Sequence, residues 1–120
     1  MSRLRVARTG AWLATSASLA TTPIQRMVGL LGHAAMAPGE ALIFPRCRSI
    51  HTIGMRFPID VVFIDQAWQV VGMKARLAPG VLWTSNGKAW GVVELEAGKA
   101  EGVGVQIHDR LELVDEQLDT

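Results

Sequence analysis

The segment that most restricts the fold is Ile59–Ile64, which reads Ile-Asp-Val-Val-Phe-Ile between Pro58 and Asp65. Side chains alternate along an extended chain, so Ile59, Val61 and Phe63 face one way and Asp60, Val62 and Ile64 the other. Both rows are apolar except for Asp60. A strand of this kind belongs inside a sheet that is covered on both faces. Asp60 then becomes the point of tension, because a carboxylate drawn into such a strand must find donors or water.

The rest of the chain reads mainly as strands cut by turn signals. Residues 69–75 pair with Ile59–Ile64 across a bend at 65–68, and 41–44 form a short apolar run closed by Pro45. Leu4 and Val6 alternate with Arg3 and Arg5, and Thr9-Gly10 turns the chain into a second strand near Trp12. Asn86-Gly87 lies between 81–84 and 88–96 and predicts a hairpin in which Trp83 and Trp90 meet across the strands. Residues 107–114 alternate and supply a last strand.

Helical signals are few. Thr21 or Thr22 can cap a helix over about 22–31, with Pro23 in its first turn, a stripe of Ile24, Met27, Val28 and Leu31, and Gly32 as its stop. A single helical turn over about 98–104 is limited by its glycines. The fold class that follows is mostly β (α+β): a compact antiparallel β-barrel-like sheet with one packed helix. No repeat or linker interrupts it, so 1–114 read as a single domain and 115–120 as a frayed acidic tail.

Composition narrows the function. The 120 residues are 49% apolar and 19% charged with a formal net charge of +1, a globular balance that disfavours nucleic acid as a bulk electrostatic partner. The charge is uneven, since no acid precedes Glu40. Cys47 is the single cysteine, which excludes an intrachain disulfide and fits a reducing, cytoplasmic setting. The competing reading treats residues 1–20, three arginines followed by AWLATSASLA, as a signal peptide of an exported protein. No stretch reaches the roughly 20 apolar residues of a membrane span. His33, His51 and His108 lack metal-ligand spacing, and no phosphate loop or dinucleotide fingerprint occurs, so no metal and no cofactor are expected.

Four segments in order carry a family resemblance. Arg26-Met-Val-Gly-Leu-Leu31 resembles an R-x-x-G-L-M element, Phe57-Pro-Ile-Asp-Val-Val-Phe-Ile-Asp65 an I-P-L-D-x-x-F-x-D element, Val93-Glu-Leu-Glu-Ala-Gly98 an L-E-L-x-A-G element, and 107–111 a closing G-D-x-V strand. The family is DUF192 (UPF0127), small bacterial and archaeal proteins of uncharacterised function. The resemblance implies a small β-rich fold with a helix and no particular chemistry. His51-Thr-Ile-Gly-Met55 replaces a W-M-K-N-T-like stretch, Leu31 a methionine, and His108 a glycine before Asp109.

Three residues that match the pattern, Arg26, Asp60 and Glu94, suggest a cluster. Glu94 continues the row of Trp90 and Val92, and Asp60 that of Val62 and Ile64, so one guanidinium facing two carboxylates is the expected arrangement. It serves either as a structural tie or as the floor of a polar pocket, with His51, Thr52 and Arg56 at its mouth. The leading reading is a non-catalytic binding or accessory module for a small anionic or polar ligand. The alternatives are a small hydrolase-like enzyme with His51 or Glu94 as base, and a module that docks a protein partner.

Overall fold

The structure, a computed structural model, describes residues 2–20, 36–52, 55–81 and 84–115. Nine strands are described: β1 (Ser2–Val6), β2 (Trp12–Leu19), β3 (Glu40–Pro45), β4 (Ser49–Ile50), β5 (Ile59–Ile64), β6 (Val70–Leu77), β7 (Thr84–Ser85), β8 (Gly91–Glu96) and β9 (Leu111–Asp115). A short helix, α1 (Lys99–Val103), lies between β8 and β9. The helix expected over about 22–31 lies outside the described residues, as do Arg26, His33 and Trp83.

Seven strands form one sheet in the order β6-β5-β8-β3-β2-β1-β9. All pairs are antiparallel except β2 with β3. The two edges of the sheet approach each other at one end. There Gln69 bridges Arg110, the Val70 N–H donates to the Asp109 carbonyl at 2.7 Å, and the Leu111 N–H donates to that of Trp68 at 2.8 Å. The sheet therefore curls into a half-barrel. Its inner core gathers Leu4, Val6, Leu13, Ile43, Val62, Ile64, Val93 and Leu95. α1 contributes Ala100 to the same core.

A second apolar cluster lies on the opposite face of the central strands, where Phe44, Ile59, Val61, Phe63 and Val92 meet Ile50 of β4 and Ala89 of the loop before β8. Every residue of β5 is buried. The inner core covers one face of β5 and the second cluster the other, which accounts for the two apolar rows of its sequence.

Two expectations change. Asn86-Gly87 does not join a β7–β8 hairpin: β7 pairs with β4, Ser49 opposite Ser85, in a separate two-stranded ribbon. The Asn86 side chain instead turns back on its own loop, its Oδ1 accepting the Lys88 N–H at 2.9 Å, while its Nδ2 donates to the Val71 carbonyl at 3.1 Å. Trp90 has Trp68 as its aromatic neighbour among the described residues, with ring centroids 6.4 Å apart and planes tilted by 48°. The last strand also starts later than expected, at Leu111, because 107–110 form the turn that closes the half-barrel. His108 sits in that turn with φ +76°, a left-handed conformation that explains why the resembling pattern carries glycine there.

An ion pair that the sequence did not announce fastens this turn. Arg8 Nε and Nη2 donate to the two Asp109 carboxylate oxygens at 2.7 and 3.1 Å, and Asp109 Oδ2 also accepts the Gln106 N–H at 2.8 Å. The hydrogen bond from Arg8 holds the Asp109 carboxyl below the usual carboxylate range.

Candidate functional site

Asp60 is 1% exposed, and its carboxylate is fully engaged. The β5–β6 register shifts between Ile59↔Leu77 and Val61↔Lys74, which inserts one extra residue into β6 opposite Asp60. Arg76 in this bulge has φ +48°, and its N–H donates to Asp60 Oδ1 at 2.8 Å. The other oxygen, Oδ2, accepts the Ala100 N–H in the first turn of α1 at 2.9 Å. Gly98 caps α1 with φ +87° and has no side chain to do the work, so the strand supplies the cap from a distance.

Glu94 does not join it. Asp60 is paired with Leu95, and Glu94 with Val61 and Leu42. Leu95 belongs to the inner core and Val61 to the outer cluster, so the two carboxylates occupy opposite faces of the sheet. By this register the two acids do not converge on one face, and Arg26, their expected partner, lies outside the described residues. Glu94 is 5% exposed on an apolar row, and no ion pair among the described residues engages it. Burial alone pushes its carboxyl up to about 7.

The expected pocket mouth also disperses. Thr52 is fully buried and satisfied: its hydroxyl donates to the Ala78 carbonyl at 2.7 Å and accepts the Val81 N–H at 2.8 Å. That is a clamp between two loops. His51 and Arg56 are exposed.

What the fold brings together lies at another place. Three loops converge at one end of the sheet: the one after β3, the bend after β5 and the one before β8. They enclose an open groove of about 870 Å³ whose lining includes Arg46, Arg48, Asp65, Gln66, Lys88 and Trp90. The loops are tied to one another through backbone. The Cys47 N–H donates to the Trp90 carbonyl at 2.8 Å, the Trp90 N–H to that of Ile64 at 2.7 Å, and the Asn86 N–H to that of Arg48 at 3.0 Å. Asp65 Oδ1 organises the bend by accepting the N–H groups of Ala67 and Gln69, each at 2.9 Å. Arg46 is held at φ +56°, a conformation costing a non-glycine residue roughly 1 kcal/mol.

Electrostatically the groove is lopsided. Arg46, Arg48 and Lys88 face a single acid, Asp65, and no ion pair among the described residues engages any of the three cations. Cys47, between the arginines, donates its thiol to the Ser49 carbonyl at 2.9 Å and serves as a packing and hydrogen-bonding residue. No group of three or more histidine, cysteine or acidic residues suited to a metal occurs among the described residues. Nor is any helix among them long and apolar enough to cross a membrane. The sequence held a partial signal for the groove, Arg46 and Arg48 after a strand-ending proline and Lys88 after an Asn-Gly turn. Nothing local says that these loops meet.

Comparison with known proteins agrees with the fold. The DUF192 family model, described as uncharacterized ACR, matches residues 4–113. No curated protein matches. The chain is similar to the crystal structure of a candidate transcription regulator from Sinorhizobium meliloti 1021, with 27% identity and a TM-score of 0.80 over 92% of this chain and 90% of that one. It is also similar to a protein of unknown function from Novosphingobium aromaticivorans DSM 12444, with 22% identity and a TM-score of 0.77 over 92% of this chain and 83% of that one.

Proposed function

The chain belongs to the DUF192 family of uncharacterised proteins, and from that premise we propose that it is a non-catalytic binding module that holds a small anionic ligand in the three-loop groove. The observation that carries this reading is the set of three cations, gathered around a groove of about 870 Å³, that no ion pair among the described residues engages. That size is ordinary for a small-molecule site. Like charges held near one another repel, and an anion seated between them relieves the repulsion while gaining charge-assisted hydrogen bonds from the guanidinium groups.

A binding role fits better than hydrolysis. Among the described residues the groove lining contains no histidine, His51 is exposed on another loop, and Glu94 is buried on an apolar row. A general base needs to lie within hydrogen-bond reach of the proton it removes. Residues 1–20 are better read as part of the fold than as a signal peptide: a cut at Ala20 would take β1 and β2 out of the sheet, with Leu4 and Leu13 from the inner core. The lone cysteine supports a cytoplasmic setting.

Isothermal titration with inorganic phosphate and ribose 5-phosphate tests the proposal. Arg48→Glu, on an exposed side chain, is expected to weaken binding at least tenfold while leaving the urea midpoint of unfolding unchanged. Equal binding by wild type and Arg48→Glu would remove the groove as the site.

A further inference from the structure

We infer that the occupant of the groove is a nucleoside monophosphate, its phosphate held by Arg46, Arg48 and Lys88 and its base laid against Trp90. This deepens the anion-binding reading and rests on it. The order of the strands distributes the groove's chemistry. β8 runs between β5 and β3. Trp90, at the entrance to β8, is therefore central, with Arg46 and Arg48 on the β3 side and Asp65 and Gln66 on the β5 side.

Each part selects a part of the ligand. Three cations against one acid leave the described lining with an excess of about two positive charges, which matches the charge of about −1.5 to −2 on a phosphate monoester at neutral pH. Trp90 is fixed before a ligand arrives: its backbone is bonded on both sides, to Ile64 and Cys47, and Trp68 packs against its ring. A held indole of this kind is a stacking surface for a planar base, because every base presents a π-face. On the far side, Asp65 holds the bend with Oδ1 and has no donor to Oδ2 among the described residues. That oxygen accepts from the amino or ring N–H groups of a base and turns the phosphate towards the arginines.

Titrations of the intact protein with inorganic phosphate, ribose 5-phosphate, AMP and a 5′-phosphorylated oligonucleotide test the inference, read by calorimetry and by indole fluorescence. AMP is expected to bind about tenfold more tightly than ribose 5-phosphate, the scale of one stacked base. It should also quench the indole emission. Trp90→Leu should bring AMP down to the level of ribose 5-phosphate, and Arg48→Glu should weaken both. If Trp90→Leu fails to fold, the wild-type ratio of AMP to ribose 5-phosphate decides alone. Equal affinity for the two esters, both weakened by Arg48→Glu, would overturn the nucleotide assignment and leave the anion site standing. Failure of every phosphate compound to bind would remove both. Tighter binding of the oligonucleotide than of AMP would overturn the mononucleotide in favour of a nucleic-acid end.

Discussion

Glu94→Gln is the substitution whose effect the structure defines most sharply, because the energetic cost of Glu94 depends on pH. The carboxyl lies on an apolar row between Leu42 and Val61, and burial moves it from the ordinary 4.5 to about 7. Between those values the folded chain keeps a proton that the unfolded chain has released, so stability falls as pH rises across the window. Below pH 4.5 both states are protonated and no penalty exists; above pH 7 it is fully present. At about 1.4 kcal/mol per pH unit, the penalty reaches about 3 kcal/mol. Glutamine has nearly the same shape and does not titrate. Its advantage over wild type should therefore grow from near zero at pH 4 to about 3 kcal/mol at pH 8. Urea unfolding of both proteins at several pH values measures this, as a difference in midpoint of about 1–2 M at the alkaline end. A stability difference that stays flat from pH 4 to 8 would refute the claim that Glu94 carries an uncompensated burial penalty.

Four further outcomes follow from the same structure. Asp60→Ala removes the acceptor of the Arg76 and Ala100 N–H groups, so it should cost about 3 kcal/mol in urea unfolding; a loss below about 1 kcal/mol would show that the tie is weak. Thr52→Val keeps the shape but strands the Ala78 carbonyl and the Val81 N–H. It should cost about 2 kcal/mol by the same measurement, whereas His51→Ala, at an exposed position, should stay within about 0.5 kcal/mol of wild type. His108→Gly relieves a left-handed residue with an exposed side chain and keeps its N–H bond to the Val70 carbonyl. It should raise stability by up to about 1 kcal/mol, and destabilisation on thermal melting would count against strain at that turn.

Local pattern was enough to define most of the elements. The double apolar row of Ile59–Ile64 required a strand covered on both faces, and β5 is buried from end to end between two neighbours. Alternation at Leu4 and Val6, the Thr9-Gly10 turn, the proline-closed run at β3 and the glycine-limited turn at α1 are properties of a few adjacent residues, and each stands where its sequence placed it. The chain also marked Asp60 and Glu94 as carboxylates on apolar rows, because alternation alone reveals that.

Alternation does not reveal which residue stands opposite which. The pairing of Glu94 with Val61, and of Asp60 with Leu95, set the two acids on opposite faces, and shifting the register by one residue would have put both on the same face. The partners of Asp60 come from a bulge 16 residues away and a helix 40 residues away, and the ion-pair partner of Asp109 is Arg8, 101 residues away. The groove has the same origin. Arg46, Asp65 and Lys88 are ordinary loop residues in sequence, and they become one site because β3 and β5 end beside the start of β8 in the curled sheet. Side-chain direction is decided by neighbouring residues along the chain, whereas charge proximity is decided by strand order, which only the folded sheet supplies.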